Sequence, residues 1–142
     1  MARASTLGKL RGDLADIQKP TILQKLNRSL GKVALDLVQS GFDRRTDPYG
    51  VPWRPTRGRN PILERTGTMR GAIRMTAKAG KITVRTTGKS SKYAVHHQYG
   101  TRYLPARKIM PDPGALPPAY NLALQEESRR FLEQRFNMKR RR

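Results

Sequence analysis

Cysteine is absent from this chain of 142 residues. Without thiols the protein can form neither disulfides nor thiolate metal sites, so we infer a reducing compartment. Long apolar runs are also missing, and none approaches the roughly 20 residues that a membrane-spanning helix needs. The first five residues (MARAS) lack the apolar segment of a secretory signal. Together these absences predict a protein that is made in the cytoplasm and does not associate with a membrane.

Acidic residues are scarce: 10 Asp and Glu stand against 30 Lys and Arg, a formal net charge of +20. A compact domain with this charge repels itself and attracts a polyanion, most often nucleic acid and sometimes an acidic protein. The imbalance is greatest between Arg54 and Lys108, where cations recur throughout and Glu64 is the only acid. The centre of the chain is therefore the electropositive part. The length favours one domain over residues 1–138, followed by a disordered basic tail over residues 139–142.

Helical spacing marks three segments of the chain. Leu7, Leu10 and Leu14 predict a helix near residues 5–18. A second helix begins at Pro20, which suits the first helical position, and is predicted to end at residues 40–41 (SG). Its apolar stripe consists of Ile22, Leu23, Leu26, Leu30, Val33, Ala34, Leu37 and Val38. A third helix begins at residue 117 or 118 and extends to the basic tail.

Strict alternation of apolar and polar residues predicts a β-hairpin in the centre of the chain. Apolar residues occupy every second position from Ile73 to residue 79 and again from Ile82, and Gly80 permits the tight turn between them. The opposite face carries Arg74, Lys78, Lys81 and Arg85. Residues 43–61 and 87–92 are predicted loops, and residues 62–70 contain one helical turn that Thr66 or Thr68 caps. The fold class is therefore α+β, a small antiparallel sheet packed by a long N-terminal helix and a C-terminal helix, with long Pro/Gly-rich loops.

The histidines, His96 and His97, do not support a catalytic or metal site. Adjacent residues point in different directions on a helix or a strand, so such a pair rarely chelates one metal. No carboxylate lies between Glu64 and Asp112 to complete a hydrolytic site. We expect one histidine to pack within its motif and the other to be exposed, and we keep a hydrolase that uses His97 as a minor alternative. Residues 88–90 (GKS) lack the earlier glycine of a phosphate-binding loop. No cofactor is predicted.

Trp53, the single tryptophan, lies between two prolines in a loop. A large ring held there at low entropic cost is a good pin for the loop, so we predict an anchor, with a ligand platform as the less favoured alternative. Nucleic-acid recognition motifs are not evident in the chain. Its basic hairpin and loops instead favour contact with phosphates irrespective of base sequence.

Four segments occur in an order that resembles the phage virion morphogenesis family, which includes tail completion and head-tail joining proteins of Mu-like and related phages. The segments are residues 50–56 (GVPWRPT), 62–73 (ILERTGTMRGAI), 93–100 (YAVHHQYG) and 104–107 (LPAR). The similarity covers roughly residues 42–110. It implies a small α+β structural protein, not an enzyme, in the neck of the virion.

The resemblance further implies a ring of six or twelve copies around the DNA channel. Its neighbours would be the portal or adaptor on one side and the tail terminator or tail tube on the other. Inter-subunit or loop-anchor roles then fall to Trp53, Tyr93, His97, Tyr99 and Arg107. The hairpin cations Arg74, Lys78, Lys81 and Arg85 become candidates for the channel wall, where they would contact genomic DNA without sequence preference. The alternative is a stand-alone nucleic-acid-binding protein.

Overall fold

The computed structural model describes residues 2–58, 63, 66–78 and 80–140. These residues form five helices and one two-stranded sheet, which confirms the predicted α+β class. The elements in chain order are α1 (Ala2–Ile17), α2 (Pro20–Arg44), α3 (Thr68–Gly71), β1 (Ile73–Lys78), β2 (Lys81–Thr86), α4 (Ser90–Tyr99) and α5 (Pro118–Arg140).

Helix α2 lies between the hairpin and α5 and contacts both. The Asn27 side chain donates a hydrogen bond to the Lys78 carbonyl at the far end of β1 (2.9 Å). Gly31 allows β1 to approach closely, because a Cβ atom there would lie 2.6 Å from the Met75 sulfur. Ser29 points the other way and donates a hydrogen bond to the Glu127 carboxylate of α5. Positions two residues apart face nearly opposite sides of a helix, so α2 joins the two layers.

The end of α2 differs from the prediction, because the helix continues through Gly41 to Arg44. Arg45 adopts the left-handed conformation (φ 54°) that usually favours glycine. Its amide and that of Thr46 donate to the carbonyls of Phe42 and Gly41, which closes the last turn. Gly41 is buried inside the helix because the Thr46 carbonyl returns to within 3.1 Å of where its Cβ would lie. This glycine therefore serves packing and does not end the helix.

The hairpin has the predicted strands and faces. The register pairs Arg74 with Arg85 and Lys78 with Lys81 in an antiparallel ladder. Ile73 is almost fully buried against α2, while the charged side chains on the opposite face are exposed. Residue 79, which the sequence places on the apolar face, lies outside the described residues.

Three further predictions need correction or qualification. The polar loop predicted over residues 87–92 ends early, because Ser90 begins α4, and that helix contains most of the YAVHHQYG segment. The basic tail is helical at its start, because α5 continues through Arg140, and residues 141–142 lie outside the described part of the chain. The helical turn predicted within residues 62–70 is α3, but Gly67 occupies its N-cap position, so neither Thr66 nor Thr68 caps it as predicted. Residues 62, 64 and 65 are not described.

One apolar core holds these elements together. Its buried members are Val38, Phe42, Trp53, Ile73, Ala94, Ile109 and Tyr120. They come from α2, the loop after it, β1, α4, the segment before α5, and α5 itself. The core therefore joins the first half of the chain to the second, and it places the hairpin and α4 beside each other. By contrast Leu7, Leu10 and Leu14 of α1 are exposed.

Candidate functional site

The outer face of the hairpin concentrates positive charge in directly opposed pairs. Arg74 faces Arg85, Lys78 faces Lys81, and the Thr76–Thr83 pair lies between them. Like charges directly opposite in an antiparallel pair are destabilising. An anion that lies along this face removes that repulsion, so the arrangement favours a polyanionic ligand.

A shallow groove of about 220 Å³ follows this face and is lined by Thr76, Lys78, Lys81, Thr83 and Arg85. Among the described residues no carboxylate pairs with Lys78, Lys81 or Arg85. Arg74 differs, because its guanidinium donates to the backbone carbonyls of Gly71 and Ile73 and therefore lies back toward the start of β1. The groove presents ammonium, guanidinium and hydroxyl donors, which suit the oxygens of a phosphate.

Trp53 fixes the loop that follows α2. The residue is 5% exposed, and its ring meets that of Phe42 edge to face at a centroid distance of 5.4 Å. Its indole nitrogen donates to the Lys108 carbonyl (2.9 Å), and its backbone amide donates to the Arg45 carbonyl (2.8 Å). The two bonds satisfy the polar groups that burial of the ring would otherwise leave unpaired. Trp53 therefore holds the loop against both α2 and the segment before α5.

Arg107 ties three segments together from a buried position. It is 5% exposed. Its Nε donates to the Arg54 carbonyl (2.9 Å), its Nη2 donates to the Pro55 carbonyl (3.2 Å), and its backbone amide donates to the His97 carbonyl. Within the described chain it forms no ion pair with a carboxylate. The guanidinium thus holds the loop after Trp53, and the backbone amide of Arg107 binds the His97 carbonyl of α4.

His97 is partly buried beside Arg107, and His96 is exposed. Burial, then the Arg107 guanidinium and then His96, lower the pKa of His97 below its ordinary value of 6.5. The Nδ1 atom of His97 is buried and has no hydrogen-bond partner among the described residues. Tyr93 and Tyr99, on the same helix, are largely exposed. Contact of either tyrosine with another subunit stays a prediction.

Two residues of this region have structural roles that were not predicted from the sequence. The Gln98 side-chain oxygen accepts from the amides of Ile109 (2.9 Å) and Met110 (3.1 Å), and its nitrogen donates to the Met110 carbonyl (2.7 Å). Gly100 ends α4 at φ 75°, where a Cβ atom would lie 2.9 Å from the Ala106 nitrogen. Both residues lie in the YAVHHQYG segment, so that motif was the available sequence signal for their importance. Their partners lie on the returning chain and could not be identified from spacing.

Metal and membrane sites find no support in the described part of the chain. No group of three or more potential metal ligands is brought together there. No helix in that part has the length and apolar character needed to cross a membrane. The described geometry thus offers an exposed cationic face on the hairpin and a set of buried contacts that hold the loops.

Comparison with known proteins identifies a family for most of the chain. Residues 7–133 match the model of the phage virion morphogenesis family. The matched segment contains the hairpin, the Trp53 loop, α4 and Arg107, and it extends on both sides of the resemblance over residues 42–110. No curated protein and no solved structure matches the chain.

Proposed function

The chain belongs to the phage virion morphogenesis family, and we propose that it is a non-enzymatic structural protein of the virion neck. In this proposal it forms a ring between the portal or adaptor and the tail terminator or tail tube. The genome passes through the ring. The single observation that carries the DNA-channel role is the exposed hairpin face with its opposed cation pairs.

Contact with DNA in the channel follows from the chemistry of that face. Lys78, Lys81 and Arg85 lie on one exposed groove and have no carboxylate partner among the described residues. Such a surface meets phosphates without reading bases, because it offers charge and hydrogen-bond donors but no recognition element for the grooves of DNA. DNA that moves through a neck needs this kind of contact, since a base-specific contact would arrest it at particular sequences.

Ring assembly is constrained by the net charge of +20 on every copy. A closed ring of six or twelve copies uses heterologous contacts, in which unlike patches of neighbouring subunits meet. Charge of one sign at this level repels neighbouring copies until anions offset it. We therefore expect salt, DNA or acidic neighbours to promote the ring.

The DNA contact is tested by reversing charges on the hairpin. The double variant Lys81→Glu/Arg85→Glu should weaken duplex binding and flatten its salt dependence, by about 0.9 in the slope of log K against log salt for each phosphate that is no longer neutralised. The matched control is Lys25→Glu/Lys32→Glu, which makes the same charge change at exposed positions of α2. Fluorescence anisotropy with duplex DNA measures both. Equal losses of affinity in the two variants would remove the hairpin from the channel wall.

The neck assignment is tested separately on particles. Purified virions should contain the protein, and labelling should place it at the head-tail junction. Light scattering on the isolated protein, with and without DNA, reports self-association. A stand-alone nucleic-acid-binding protein is the second candidate because the cationic groove would serve it equally well. Absence of the protein from virions, together with a monomer that binds DNA, would establish that alternative.

A further inference from the structure

A second feature lies apart from the hairpin groove: a cleft of about 560 Å³ between the loop that follows Trp53, α3 and the first turns of α4. We call it the α3–α4 cleft. Apolar side chains of Leu63, Met69 and Tyr93 form part of its lining. Its polar lining includes Lys89, Ser90, His97 and Arg107. The cleft therefore combines an apolar wall with several hydrogen-bond donors.

One buried polar atom in this cleft lacks a hydrogen-bond partner, and it lies near a buried cation that no described carboxylate balances. Arg107 uses two of the five N–H donors of its guanidinium on the carbonyls of Arg54 and Pro55, and no described carboxylate balances its charge. Ser90, whose side chain also lines the cleft, is 7% exposed. The Nδ1 atom of His97 is buried and has no hydrogen-bond partner among the described residues. Buried polar atoms are normally satisfied, so an unpaired one beside the unbalanced charge of Arg107 indicates a polar ligand, and that charge favours a negative one.

The other side of Arg107 extends the same pattern. A broader cleft of about 850 Å³ shares Thr56 and Arg107 with the first, and it is also lined by Arg54, Arg57 and Arg102. Those three arginines are exposed, and none pairs with a carboxylate in the described residues. A ligand with several negative charges can therefore contact cations on both sides of the Arg107 guanidinium.

We propose that the α3–α4 cleft binds an acidic segment of a partner polypeptide, with one carboxylate received by Arg107, Ser90 and Lys89. Two observations favour a polypeptide over nucleic acid. Arg107 is 5% exposed, so a single extended chain can approach it more closely than a bulky duplex can. The wall formed by Leu63, Met69 and Tyr93 suits an apolar side chain beside the carboxylate. The proposal concerns a site separate from the hairpin groove and does not depend on the neck role.

The probe is a capped hexapeptide of alternating glutamate and leucine, and its glutamine-leucine counterpart is the control. Binding to the full chain is measured by fluorescence anisotropy of the labelled peptides and by NMR of the Ser90 amide and the His97 ring. The glutamate peptide should bind and shift both sets of signals, and the pKa of His97 should rise when a carboxylate arrives. The glutamine peptide should leave them unchanged.

Matched variants separate cleft binding from general attraction. Lys89→Ala should weaken the glutamate peptide about threefold, which is typical of an exposed charge pair. Lys92→Ala should not, because Lys92 is also exposed but does not line the cleft. Arg107→Ala should weaken binding at least about tenfold, since it removes the buried partner of a charge pair. Lys89→Ala keeps the test valid even if Arg107→Ala fails to fold.

Four results would overturn the proposal. Equal losses of affinity in Lys89→Ala and Lys92→Ala would show attraction by net charge alone. Equal binding of the glutamine peptide would show that no carboxylate is recognised. If a short DNA duplex displaces the peptide, as judged by the NMR signals of the Ser90 amide and the His97 ring, the cleft is a nucleic-acid site. Without peptide, the His97 ring signals of Glu64→Gln should match those of the unsubstituted chain. Replacement of these signals by others would show that the chain supplies its own carboxylate.

Discussion

The hairpin face and the buried ties around Trp53 use arginine in opposite ways. Arg107 is buried and donates to two backbone carbonyls, so its charge holds loops in place. Arg85 is exposed, faces Arg74 across the ladder and has no described carboxylate. Burial of the Arg107 guanidinium carries a desolvation penalty, and its hydrogen bonds make the loops more rigid. The second arrangement places like charges opposite each other, which is unfavourable in the isolated chain.

The comparison also separates stability from binding. Removing a buried tie opens the core, because Trp53 and Phe42 pack against each other there. Removing a hairpin cation leaves the core untouched, since those side chains lie on the outer face. Changes in the two regions should therefore differ in sign and in size.

Trp53→Ala tests the buried side of the comparison and should have the largest effect. Loss of the buried ring should reduce the free energy of unfolding by about 3–5 kcal/mol. Urea denaturation followed by far-UV circular dichroism measures it, because the variant has no tryptophan left to report. The control is Arg85→Ala, which should change stability by no more than about 0.5 kcal/mol. Similar losses of stability in the two variants would break the distinction between the regions.

A pH titration of stability tests the buried region further, and its effect should be smaller than that of Trp53→Ala. Because the pKa of His97 in the folded state lies below 6.5, the unfolded chain binds more protons as the pH falls. Stability from neutral His97 is thus complete above about pH 6.5 and is lost as the pH falls toward the folded pKa. His97→Gln should flatten that part of the stability profile, and His96→Gln should leave it. If the slope of stability against pH persists in His97→Gln, another titrating group causes it.

Glu127 does not confuse this measurement. The Ser29 hydrogen bond, with a further contribution from Arg130, lowers the pKa of the Glu127 carboxyl below 4.5. Its contribution is therefore present above that value and is lost only in more acidic solution. The two titrations occupy different pH ranges.

The hairpin side should give the smallest effect, in the opposite direction. Arg85→Gln removes the repulsion with Arg74 and should raise stability by about 0.2–0.5 kcal/mol. A double-mutant cycle with Arg74→Gln isolates the pair, and molar salt should abolish the coupling by screening it. An unfavourable change in Arg85→Gln at low salt would contradict the opposed-charge account.

The described strands of the hairpin could be predicted because their period of two fixes which side chains share a face. Helix α4 was missed for a physical reason: Tyr93, Val95 and Tyr99 are exposed while the small Ala94 is buried, so the helix lacks an apolar stripe. The end of α2 was misplaced because Arg45 takes a conformation usually left to glycine. Trp53 was recognised as an anchor candidate, but its acceptor at residue 108 depends on the tertiary fold.

The bond between the Trp53 indole and the Lys108 carbonyl joins residues 55 positions apart. Closing so long a loop costs chain entropy before any contact compensates for it, whereas the six-residue strands of the hairpin meet across a short turn. During folding the hairpin and α2 should therefore form before the indole reaches its acceptor. Because Trp53 is the sole tryptophan, intrinsic fluorescence reports that last event. In stopped-flow refolding, the fluorescence change should therefore come later than the change in circular dichroism.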